Sequence, residues 1–122
     1  MKLHFKIPQG LKKHVTDELL KSKETFRKGE LQTSWQHLER AHILGQAYPI
    51  EHSQAHWQML LFAFRIKNTK EILGQIPRLL VGGVKSFVGE IPLGNSGGAN
   101  VPPLKPMEIP SDLKEILSAY QN

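Results

Sequence analysis

The chain has 122 residues, with 16 lysines and arginines against 11 aspartates and glutamates, six histidines and no cysteine. A chain of this length can bury roughly two thirds of its unfolded surface, enough for one hydrophobic domain without a disulfide or a structural metal. The lack of cysteine excludes thiolate zinc sites, CxxC redox chemistry and a disulfide framework, and the net charge of +5 raises the question of nucleic acid.

The start, Met1-Lys-Leu-His-Phe-Lys6, lacks the apolar core and small-residue cleavage site of a signal peptide, and no apolar run approaches the ~18 residues of a spanning helix. A soluble, cytoplasmic chain with no membrane partner is expected. From Pro8 to Lys28 apolar residues recur as Leu11, Val15, Leu19 and Phe26, the spacing of one helical face, and Gly29 is the stop. Lysines 2, 6, 12, 13, 21, 23 and 28 and Arg27 are spread around this helix with Asp17, Glu18 and Glu24 among them. That is the pattern of a solvated surface, so nucleic acid is not the expected partner.

Helix two spans 30–44, with the stripe Leu31, Ser34, Trp35, Leu38, Ala41 and His42, and ends at Gly45. It therefore carries a histidine inside its apolar face. Pro49 suits the boundary before a helix. Helix three covers 51–67, with Trp57, Leu60, Leu61 and Phe64 expected to pack on one side and His52, His56, Met59 and Ala63 on the adjoining one. A fourth segment, 69–87, is apolar through Ile72, Leu73, Ile76, Leu79, Leu80 and Val84. Pro77 is expected to kink or divide it, and Gly82 and Gly83 weaken its end.

The stretch 88–110 holds most of the prolines and four of the ten glycines, and reads as an irregular segment packed along the helices through Ile91, Leu93, Val101, Leu104, Met107 and Ile109. Ser111, followed by Asp112, is expected to N-cap a closing helix over 111–120. The whole reads as one all-α domain of four to five helices, either a small bundle or stacked helical hairpins. The run from Lys28 to Leu44 resembles the turn and second helix of a tetratricopeptide repeat, with Ser34, Leu38 and Ala41 in its small, large, small packing positions. It covers one repeat, whereas an array needs about three.

His52 and His56 are four apart, so on a helix they project from one side a turn apart, the arrangement two imidazoles need to share a metal. His42 adds a third from helix two, lying about 40° from Leu38 on the helical wheel and therefore inward. Glu39 precedes it by three residues. Glu39-x-x-His42 is the element that di-iron bundles use twice, but helix three offers His-x-x-x-His instead. One mononuclear site is therefore expected, with His42, His52 and His56 as ligands and Glu39, or a helix-one acid such as Glu18, as fourth ligand or supporting partner. Zinc, iron, manganese and nickel all accept this donor set. His37 lies about 140° from His42 on the wheel and should not join; His4 and His14 have no partner pattern. The competing reading leaves the histidines structural, each satisfied by a carbonyl or carboxylate.

No HExxH motif and no nucleophile elbow is present, so no catalytic residue is assigned. Gly94-Asn-Ser-Gly-Gly-Ala-Asn100 lacks the GK[ST] ending of a phosphate loop, and its glycines are better read as positive-φ positions of a tight turn. Arg65, Gln75 and Arg78 are open to two readings, contact with an anionic ligand or solvated and helix-end roles.

The runs Leu38-Glu-Arg-Ala-His-Ile-Leu-Gly-Gln46, His52-x-x-x-His56-Trp-x-Met-Leu60, Gly74-Gln75-x-x-Arg78, Pro92-x-Gly94-Asn95-x-Gly97-Gly98 and Pro106-x-x-Ile109-Pro110-x-Asp112-Leu113 together resemble a bacterial family of small proteins designated only as a domain of unknown function. One departure is Glu108, where the family has a further proline. The resemblance supplies no activity. It implies that the three histidines and the glycine-asparagine loop belong to one shared unit. Two roles follow from the residues: a metal-binding protein, or a helical interaction module with a protein partner or a second copy of itself.

Overall fold

The computed structural model describes residues 6–88, 96–98 and 107–120, with side chains given for all of these except 79–88. Among the described residues there are five helices and no strand: α1 (Gln9–Arg27), α2 (Leu31–Gly45), α3 (Pro49–Arg65), α4 (Thr69–Val88) and α5 (Ser111–Ser118). The fold is all-α. No helix among these residues is long and apolar enough to cross a membrane. Expectations for His4, for the Gly94 and Asn100 ends of the glycine loop and for most of 88–110 lie outside the described residues, as do the side chains of Leu79, Leu80 and Val84.

The first three helices each pack on the next, α1 on α2, α2 on α3 and α3 on α4, while α5 returns to α2. Two junctions are built alike. After α1, Gly29 takes φ +81° and the Gly29 and Glu30 amides donate back to Phe26 and Thr25. After α3, Lys67 takes φ +58° and the Lys67 and Asn68 amides donate to Phe64 and Ala63. Both are Schellman closures, in which a left-handed residue lets the last carbonyls find partners. Asn68 then caps α4, accepting the Glu71 amide on its side-chain oxygen at 3.0 Å.

Paired contacts show α1 and α2 to be antiparallel: Glu18 meets His37 and Arg40, whereas four residues on, Ser22 meets Ser34. The Ser34 hydroxyl also donates to the Ser22 carbonyl at 2.7 Å. Small side chains at this crossing let the backbones approach. One core joins Leu11, Val15, Ala41, Leu44, Tyr48, Leu113 and Leu117, tying α5 to the first hairpin. A second joins Leu38, Met59 and Phe62, with Phe26 and Trp35 against Phe62 at ring separations of 5.5 and 5.1 Å. Each of the buried leucine, valine, methionine and phenylalanine side chains among them contributes roughly 1.5–3 kcal/mol.

Three expectations are corrected. Pro77 does not divide α4, which continues through it; Pro77 and Leu73 lie on an exposed face of the helix, where the bond that proline removes costs least. Ser111 is the first residue of α5 rather than its cap: Pro110, extended at φ −51° and ψ 141°, holds that position, and its carbonyl accepts the Lys114 amide. Trp57 and Phe64 are 48% and 54% exposed, and Leu31, Leu73 and Ile76 are also largely exposed. On α3 the buried face is instead the one carrying His52, His56, Met59 and Ala63, with Leu60 and Phe62 beside it.

Candidate metal centre

The end of α2 and the first half of α3 face each other across a short turn, and this brings His42 against His52 and His56. All three are buried, at 2%, 6% and 3% exposure. Their rings stand 4.6–4.8 Å apart, centroid to centroid, and are mutually tilted by 49–72°. The inward atoms are the three Nε2 nitrogens. His42 lies 3.0 Å from His52 and 3.1 Å from His56, and His52 lies 3.1 Å from His56.

Protons alone cannot satisfy that triangle. Each Nε2 either carries a hydrogen or presents a lone pair. Among three, at least two share the same state, and those two repel at hydrogen-bonding distance. A cation facing three lone pairs removes the conflict. A triangle of this size has its centre about 1.8 Å from each nitrogen, so His42, His52 and His56 would hold one ion at about the zinc–imidazole length of 2.0–2.1 Å.

The outer side of the His56 ring is fixed. Its Nδ1 is 2.7 Å from Oε1 of Gln75, which is fully buried. The Gln75 amide nitrogen donates to the Glu71 carboxylate at 2.7 Å and to the Gly97 carbonyl at 2.8 Å. Both partners only accept, so Oε1 must face His56 and Nδ1 must donate. Neutral His56 therefore keeps its lone pair on Nε2. Burial, reinforced by the nearby positive charge of Arg78, pushes the His56 pKa down to about 4 against the opposing effect of the Gln75 bond.

Ser96, Gly97 and Gly98 are buried, and Gly97 lies against the cluster. Gly97 has φ +86°, and a Cβ added to it would come within 2.8–3.0 Å of the Cδ2, Cγ and Nε2 atoms of His42. Only glycine meets both demands.

Among the described residues, the group whose ligand atoms lie within 4.8 Å of one another is His42, His52 and His56. Glu39 stands beside it, its carboxylate bonded to the side chains of Trp35 and Ser96, and burial raises its pKa, with Glu71 adding to the shift. Glu18, the other acid considered, is committed elsewhere: it accepts from Nδ1 of His37 at 2.7 Å and from Arg40 Nε at 3.0 Å. His37 is thus a hydrogen-bonded histidine away from the cluster. Arg65 stacks over the Phe26 ring at 5.6 Å, and Arg78 bonds the Gly74 carbonyl in its own helix.

The supporting residues Gln75 and Gly97 could not be placed from spacing. The signal available was the four-residue step from Glu71 to Gln75, which puts both on one helix face.

No curated protein and no solved structure matches the chain. A family model described as protein of unknown function (DUF3703) matches residues 9–117, and the chain belongs to that family.

Proposed function

We propose that this protein binds one divalent transition-metal ion through the Nε2 atoms of His42, His52 and His56. The carrying observation is the buried triangle of nitrogens 3.0–3.1 Å on a side, which no assignment of protons satisfies. The Gln75 bond supports it by leaving the His56 lone pair inward, and the lowered basicity of His56 keeps that lone pair available through neutral pH. Zinc, iron and nickel suit three imidazoles, and manganese becomes competitive if a carboxylate joins. Glu39 acts in this reading as a supporting acid, holding Ser96 beside the cluster. Among the described residues three protein ligands converge, which leaves at least one coordination position not filled by them, unlike a set of four converging ligands in a closed structural site. Storage, delivery, sensing and metal-assisted chemistry are all compatible with it.

The test is metal analysis of protein purified without a histidine tag, followed by calorimetric titration with Zn²⁺ and Fe²⁺. One ion per chain is expected, with binding lost in His42→Ala and His56→Ala. A chain that purifies metal-free and gains no thermal stability from either ion would overturn the proposal.

A second reading, a helical interaction module with structural histidines, draws on a different observation. Ile50, Trp57 and Phe64 recur every seven residues on α3 and are 69%, 48% and 54% exposed, an apolar ridge of the kind that helices cover in partners or second copies. Sedimentation of the wild type against Trp57→Ser, with capture of partner proteins by each, tests it. A monomer that captures nothing would remove this reading.

A further inference from the structure

Gln75 stands between the histidine triangle and the Ser96–Gly98 segment, and it holds both. Its oxygen accepts a hydrogen bond from His56 Nδ1–H, and its amide nitrogen donates to the Gly97 carbonyl and the Glu71 carboxylate. The segment meets the cluster a second time where Gly97 approaches the ring of His42 so closely that no Cβ fits between them. Ser96 is held from a third direction by Glu39. We infer that metal occupancy and docking of Ser96–Gly98 are one coupled equilibrium, with Gln75 as the positioning residue that links them. This rests on the metal-binding reading above.

The physical link has two strands. A cation on Nε2 withdraws electron density from the His56 ring and makes Nδ1–H a stronger donor to Gln75; the polarised amide in turn donates more strongly to Gly97 and Glu71. Separately, an ion shared by three nitrogens would hold His42 in the orientation against which Gly97 packs, with a Cβ on Gly97 falling 2.8–3.0 Å from the ring. Coupling of this kind is reciprocal: whatever favours the docked segment must tighten the metal by the same factor.

The experiment is amide hydrogen exchange on the untagged full chain, with and without Zn²⁺, read at Gly97 and Gly98 and, as a reference, at Thr25 and Phe26 in α1. Zn²⁺ is expected to slow exchange at Gly97 and Gly98 by about 5-fold or more beyond any change at the α1 amides, the lower end of ordinary coupling between sites. Gln75→Leu fills the site but makes neither bond. At saturating Zn²⁺ this variant should still bind the ion and lose the selective slowing. Equal slowing at both places in the wild type, or full selective slowing in Zn²⁺-saturated Gln75→Leu, would overturn the inference while leaving metal binding intact. Failure of the wild type to bind Zn²⁺ would remove the metal-binding reading and this inference together. Should Gln75→Leu fail to fold, the wild-type comparison still decides between coupling and none.

Discussion

Nδ1 of His56 lies 2.7 Å from Oε1 of Gln75, a bond whose direction is set by the two acceptors on the other side of the amide. At neutral pH the metal-free protein should therefore hold His56 as the Nδ1–H tautomer, visible in the nitrogen-15 shifts of the ring; an Nε2–H tautomer would contradict the arrangement. Gln75→Leu removes the acceptor and leaves a buried donor. It should lower Zn²⁺ affinity by about 10–100-fold, the usual loss when an outer partner of a ligating histidine is removed. It should also cost about 1–3 kcal/mol of metal-free stability. Calorimetric titration and urea unfolding measure the two effects.

Acid should destabilise the metal-free protein through the same residue. Unfolded, His56 takes up a proton near its ordinary value of 6.5; folded, it does so only near 4. Stability is thus complete above 6.5 and is lost as the pH falls from there toward 4, because the unfolded state binds the proton first. The full loss is up to about 3 kcal/mol at 1.36 kcal/mol per unit. Urea midpoints measured between pH 7.5 and 4.5 should fall over that window, and His56→Gln should flatten the fall. Midpoints that do not move would refute the burial argument.

Part of this architecture was readable from residue spacing. His52 and His56 share a helix face by their four-residue step, and His42 was placed inward by its angle to Leu38. Each inference needs only one helix, and both agree with the convergent triangle. What spacing could not supply was the partner across a gap: Gln75 reaches His56 from another helix, and Gly97 reaches His42 from a segment 55 positions along the chain. Hydrophobic character also misled. Trp57 and Phe64 are as apolar as Met59, but the face of α3 that turns inward is the one carrying the polar histidines. Glu39 was visible as an acid near His42, whereas its bonds to Trp35 and Ser96 depend on how the segment lies.

The two Schellman closures predict opposite effects from exchanging their residues. Lys67 holds φ +58°, which costs a residue with a Cβ about 1–2 kcal/mol relative to glycine. Lys67→Gly should therefore stabilise by about 0.5–1 kcal/mol once the greater freedom of glycine in the unfolded chain is subtracted. Gly29, at φ +81°, has nothing within 4 Å of an added Cβ, so Gly29→Ala isolates the backbone strain. It should destabilise by about 1 kcal/mol. Urea unfolding of both variants checks the signs; a destabilised Lys67→Gly would mean that the lysine side chain contributes more than its backbone costs.

Arg40 makes two ion pairs of unequal worth. Toward Glu18, whose side chain is 7% exposed, Nε donates at 3.0 Å; toward Asp112, 59% exposed, the guanidinium makes a two-pronged contact that ties α2 to α5. Solvent screens the second pair, so Asp112→Ala should cost less than about 1 kcal/mol. Arg40→Ala is different, because it leaves the Glu18 carboxylate buried with only His37 beside it. Breaking a buried pair from one side costs about 3–5 kcal/mol, and here the value should fall toward the lower figure, since the hydrogen bond from His37 Nδ1 to the Glu18 carboxylate remains. Equal losses from Asp112→Ala and Arg40→Ala at neutral pH would show that the α5 contact, rather than the buried carboxylate, is what Arg40 serves.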